Sequence, residues 1–127
     1  MHALVIDDSK PVRSILTKVL TGLQFQCIEA QNGVEALDRL SHMPRPALIT
    51  LNRHMPEMDG FEFSEELRKN KDWIDIPVVV VTAKDLTKED HERLKGNVEA
   101  IMQKGSYSKK ELLSEVGTRI ELLKTRR

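Results

Sequence analysis

One cysteine, few aromatic side chains and no surplus of either charge mark what this 127-residue sequence lacks. A lone Cys27 rules out an internal disulfide, and its apolar, strand-like surroundings predict a buried, inert thiol suited to a reducing compartment. Twenty basic and twenty acidic residues cancel, so no overall field draws the chain to nucleic acid or to an anionic membrane surface. The basic tail Lys124-Thr125-Arg126-Arg127 reads as a helix end rather than a nucleic-acid arm. No segment reaches the ~20 apolar residues of a membrane span, and no basic stretch followed by an apolar one signals export. A cytoplasmic protein is expected. Repeats, low-complexity tracts and Gly/Ser linkers are missing and the length suits one core, so residues 1–127 are read as a single domain.

What the sequence does contain is a series of short aliphatic runs: Ala3-Leu4-Val5-Ile6, Cys27-Ile28, Ala47-Leu48-Ile49, Val78-Val79-Val80-Val81 and Ala100-Ile101-Met102. Uninterrupted runs of this kind suit strands buried on both faces of a parallel sheet. Helical spacing fills the intervals. Val12, Ile15, Leu16, Val19, Leu20 and Leu23 form one stripe, and Leu112, Leu113, Val116, Ile120 and Leu123 another. Ser108 with Glu111 reads as a capping box, Asp59 with Glu62 as a looser version of it, and Gly22 and Gly33 as punctuation at ends and turns. Strands alternating with helices imply an α/β fold, a doubly wound five-stranded parallel sheet with helices on both faces.

In such sheets the functional crevice lies beyond the carboxyl ends of the strands. Asp7, Asp8, Asn52, Thr82 and Lys104 each fall at or just after such an end, so five residues scattered in sequence converge on one edge. Adjacent carboxylates at Asp7 and Asp8 repel each other unless a cation is near, and hard oxygen ligands suit Mg²⁺. Asp8 and Ser9 also suit the cap of the following helix, which is compatible with a metal site. Lys104 would bring an ammonium to the acidic cluster or to a phosphoryl oxygen. Thr82 offers a hydroxyl, and small Ala83 beside it leaves room for an incoming group.

Four motifs in order, Val5-Ile6-Asp7-Asp8-Ser9, Leu48 to Gly60 around Asn52, Val81-Thr82-Ala83 and Gln103-Lys104-Gly105, resemble the response-regulator receiver domain of two-component signalling. The resemblance runs from Leu4 to about Leu123. It implies a flavodoxin-like strand order 2-1-3-4-5, and Mg²⁺ held at Asp7, Asp8, Asn52 and the backbone carbonyl of His54. It further implies that Thr82, Ala83 and Lys104 form the phosphate-sensing switch, and that the partner is a histidine kinase or phosphotransfer protein. The downstream target is not indicated. The family's phosphoacceptor is an aspartate that attacks a phosphohistidine. Here that position is Asn52, whose amide is neutral and has a delocalised nitrogen lone pair, so phosphorylation as written is expected to be blocked.

Either a degenerate receiver that signals by binding alone or an acceptor that has been replaced would carry this residue; the otherwise complete set of Asp7, Asp8, Thr82 and Lys104 favours the second. His54 is read as a rim side chain and not as a substitute acceptor. Two departures bear on output. Gly105 replaces the proline the family usually has after its lysine, so a trans or glycine-adapted loop is expected. Ile101 stands where the family tends to carry an aromatic switch residue. The segment from Thr87 to Leu94 is read as a helix anchored only by Leu86 and Leu94, and so either partner-facing or simply a solvated helix with no special role. The stretch from Arg93 to Val98 and Lys104-Gly105 are similar to receivers appended to hybrid sensor kinases.

The rival readings are a pseudo-receiver that acts as a protein-interaction module and an enzyme on the same architecture. An aspartyl-intermediate phosphatase wants Asp-x-Asp after the first strand, which Asp7-Asp8-Ser9 does not supply. A flavin carrier wants aromatic cover, and the chain has only Trp73, Tyr107 and three phenylalanines. No enzymatic activity is expected.

Overall fold

How much apolar surface each strand must hide decides where it sits. In the computed structural model five parallel strands, β1 (His2–Ile6), β2 (Gln26–Ala30), β3 (Leu48–Leu51), β4 (Val78–Thr82) and β5 (Ala100–Gln103), lie in the order β2-β1-β3-β4-β5. The structure describes residues 1–53, 55–82, 88, 89, 92, 100–103 and 118, with 82 and 100–103 described through their backbone. Three helices with given bounds join the strands: α1 (Lys10–Gly22), α2 (Gly33–His42) and α3 (Gly60–Arg68). Both the sheet and its expected order are observed. The segment from Thr87 to Leu94 has Lys88, Glu89 and Glu92 helical and exposed; its other residues, and the Ser108–Glu111 cap, lie outside the described residues.

Side chains alternate across the pleat with period two, and so build one core on each side. Leu4, Ile6, Ile49, Leu51, Val78 and Val80 face α2 and α3, where they meet Ala36, Leu40, Phe61, Phe63 and Leu67. Ala3, Val5, Leu48, Val79 and Val81 face the other way and meet Leu16 and Leu20 of α1 together with Phe25. Central β1 and β3 are buried on both faces, as their uninterrupted aliphatic runs predict. β2 differs. It is an edge strand whose Cys27 and Ile28 are half-buried between exposed Gln26 and Glu29, because only one neighbouring strand and part of each flanking helix cover it. Cys27 is therefore not the fully buried thiol expected. Burial still raises its pKa, opposed by a hydrogen bond from Thr21, so little reactive thiolate forms at neutral pH.

The α1 stripe is narrower than its sequence suggests. Leu16 and Leu20 are buried, Val12 and Leu23 pack beside them, and Ile15 and Val19 are half-buried outside the cluster. Ser9 caps the helix, with Oγ accepting from the Val12 N–H at 3.5 Å. Gly22 is simply the last helical residue; the left-handed turn falls on Gln24, at φ 71°. Gly33 marks no turn and begins α2 behind the Asn32 cap. Asp59 and Glu62 form a complete reciprocal capping box at α3, at 3.0 and 3.3 Å. Among the described residues no helix is long and apolar enough to cross a membrane.

Candidate functional site at the carboxyl edge of the sheet

The parallel register that pairs Ile6 with Leu51 brings the next residues of β1 and β3 side by side. Two backbone bonds prolong the ladder beyond the strands: Asp7 N–H donates to Ala30 O at 3.1 Å and Asn52 N–H to Ile6 O at 3.0 Å. Asp7 and Asn52 are thus fixed at the sheet edge by neighbouring strands, 1% and 7% exposed respectively. Asp8 follows on the exposed rim.

Asn52 joins the acidic pair directly. Its Nδ2 donates to Asp8 Oδ1 at 3.1 Å and, more weakly, to Asp7 Oδ1 at 3.4 Å. Asp7 Oδ1 also accepts the Ser9 N–H at 2.9 Å, so the buried carboxylate is held by several donors, as burial of a charge requires. The amide places the positive end of its dipole between two carboxylates, where a cation would otherwise reduce their repulsion. It supplies no third carboxylate, and among the described residues no group of three or more His, Cys, Asp or Glu side chains could hold a metal ion.

The donor set nevertheless suits a hard divalent cation. Asp7 and Asp8 offer carboxylate oxygens, and rotation about the Asn52 Cβ–Cγ bond would turn Oδ1 toward them in place of Nδ2. Such rotation breaks both amide bonds, so cation binding competes with Asn52. His54, whose carbonyl was expected to add a ligand, lies outside the described residues, as do Ala83 and Lys104. The backbone places Thr82 at the carboxyl end of β4, opposite Gln103 of β5, on the same edge.

The loop after Asn52 is fitted closely against the site. Gly60 N–H donates to Arg53 O at 2.9 Å, and a Cβ on Gly60 would lie 2.5 Å from Asn52 O. Farther along, Glu57 adopts φ 66° and Met58 O accepts the Gly33 N–H at 3.0 Å. A Cβ on Gly33 would meet the Met58 side chain at 2.5 Å. The Arg53 guanidinium lies 4.3 Å from the Phe61 ring centroid, a cation–π contact that helps fix the loop to α3.

Two residues near the site are absent from the motif reading. Arg13 Nη1 donates to the main-chain carbonyl of Asp7 at 2.6 Å, and its Nε donates to Glu29 Oε1 at 3.0 Å. The one sequence signal was a cation in the first turns of α1, where the helix dipole disfavours positive charge.

The chain matches the response regulator receiver domain over residues 3–117. It is 38% identical over 91 residues to the sensor histidine kinase CheAY of Helicobacter pylori, a stretch covering 71% of this chain and 11% of that protein. It is 37% identical over 83 residues to a chemotaxis protein CheY homolog of Campylobacter jejuni, covering 65% of this chain and 64% of that one. The chain therefore spans about a tenth of the first relative and just under two thirds of the second. Among solved structures, the Mn²⁺-bound form of response regulator Rcp1 superposes with a TM-score of 0.81 at 28% identity, covering 92% of this chain and 89% of that one. Sheet order, acidic strand end and the extent of these matches agree, and the chain belongs to the response regulator receiver domain family.

Proposed function

We propose that residues 1–127 form one cytoplasmic receiver domain of a two-component pathway, without enzymatic activity of its own, in which Asn52 closes the phosphoacceptor position. The supporting observation is the Asn52 amide donating to both Asp8 and Asp7. A neutral amide is a poor nucleophile toward phosphorus, because its nitrogen lone pair is delocalised and its N–H groups are here committed to the acidic pair. Asp7, Asp8, Asn52 through its side-chain oxygen, and the His54 carbonyl would hold Mg²⁺, which when bound supplies charge neutralisation for a phosphoryl group. Thr82, Ala83 and Lys104 are the residues that would contact such a group. The partner is a histidine kinase or a phosphotransfer protein.

A second reading, a receiver that acts only by binding proteins, is favoured by the same bonds, because they satisfy the acidic pair from within the chain. Incubation with phosphorylated histidine kinases, with the Asn52→Asp variant in parallel, tests the proposal. The parent chain is expected to leave the label on every kinase, whereas the variant drains its cognate one. Loss of label to the parent would refute the closed acceptor, and no transfer to either protein would support the purely binding role.

A further inference from the structure

We propose that Arg13 is a positioning residue for the acidic rim: it fixes the peptide joining Asp7 to Asp8 and so sets where the Asp8 carboxylate stands. This role rests on the reading of Asp7 and Asp8 as the cation-binding pair. Asp7 lies just past the end of β1. Its N–H is held by Ala30 O of β2. Its carbonyl accepts from Arg13 Nη1 at 2.6 Å, while Arg13 Nε reaches Glu29 Oε1 on the same edge strand. Both sides of Asp7 are thereby tied to β2, one directly and the other through the guanidinium.

The arrangement suits arginine in particular. Two N–H groups diverging from one rigid plane serve a carbonyl and a carboxylate at once, whereas a lysine ammonium on a flexible stem is a point charge with no such fork. The Arg13 side chain is 11% exposed against 42% for Glu29, so the guanidinium is largely shielded from competing water. Charge-assisted bonds in such a setting are short and directional. With the carbonyl held, the direction in which the chain leaves Asp7 is fixed, and Asp8 Oδ1 comes to rest 3.1 Å from Asn52 Nδ2.

Arg13→Lys keeps the charge and removes the fork, and so separates position from electrostatics. Solvent exchange of the Asn52 side-chain amide protons, followed by NMR in cation-free protein, is expected to quicken about tenfold in Arg13→Lys. In the Asn52→Asp background the same change is expected to weaken Mg²⁺ binding, measured by calorimetry, by about tenfold, the scale typical of lost outer-shell partners. Leu16→Ala, which removes core packing from the same helix, serves as a destabilised control and is expected to leave both readouts at parental values. Parental amide exchange and parental Mg²⁺ affinity in Arg13→Lys would overturn the proposal, as would equal changes in Leu16→Ala. If Asn52→Asp binds no Mg²⁺ while Arg13→Lys still quickens amide exchange, the cation reading fails and the positioning role stands.

Discussion

Replacing Asn52 by aspartate is expected to lower the melting temperature in the absence of divalent cation by about 10 °C, with Mg²⁺ recovering most of that loss. The present amide donates to Asp8 at 3.1 Å and to Asp7 at 3.4 Å, and a hydrogen bond to a charged acceptor contributes about 1.5–3 kcal/mol. A carboxylate at position 52 would remove these bonds and add negative charge beside Asp7, which is 1% exposed. Two unit charges 4 Å apart interact by ~4 kcal/mol at an effective dielectric of 20. Water around the exposed Asp8 reduces that figure, which leaves a net loss of about 3 kcal/mol. For a chain of this size each kcal/mol moves the midpoint by about 3–5 °C. A cation at 100 times its Kd returns about 2.7 kcal/mol. The parent, whose amide must first be turned aside, is expected to show a much smaller Mg²⁺ shift. Melts of both proteins with and without Mg²⁺ are the check; equal metal-dependent shifts would contradict the role given to the amide.

Gly60→Ala is expected to cost about 2–3 kcal/mol, although alanine is the better helix former by up to about 1 kcal/mol. The new Cβ would stand 2.5 Å from Asn52 O and 3.0 Å from Arg53 Cα. Both are backbone atoms with little room to move, since Asn52 N–H is held by Ile6 O and Arg53 O by the Gly60 N–H. Relief therefore requires displacement of the peptide that carries Asn52. Gly33→Ala makes a useful contrast. Its Cβ would meet Cγ and Sδ of Met58, which another rotamer can move aside, and Met58 Cβ at 2.9 Å, which needs only a small shift, so a smaller loss of about 1 kcal/mol is expected. Urea denaturation midpoints at unchanged m-value measure both. Equal losses would show that the backbone contact at Gly60 is not what limits the site.

The meeting of Asp7, Asp8 and Asn52 was legible because each follows an aliphatic run, and parallel strands carry such residues to one edge; the strand order was implied only by the family resemblance. The Asp59–Glu62 capping box was legible for a similarly local reason, being a matter of spacing within one turn. The half-buried state of Cys27 was not, because two apolar letters do not say whether a strand is central or at the edge. Arg13 and Glu29 were missed since their contact joins a helix to an edge strand and follows no sequence period. Gly33 and Gly60 were likewise opaque in their roles. Gly33, read as punctuation, proves to be space for Met58, and Gly60, read only as part of a motif, proves to be space for the Asn52 carbonyl.

Intact mass after exposure to acetyl phosphate and Mg²⁺ tests most directly whether residue 52 alone closes this site. The parent chain is expected to gain nothing, Asn52→Asp to gain the mass of one phosphoryl group, and Asn52→Asp combined with Asp8→Asn to gain none. Phosphoryl uptake by the parent, or its absence from a folded, Mg²⁺-binding Asn52→Asp variant, would contradict the claim.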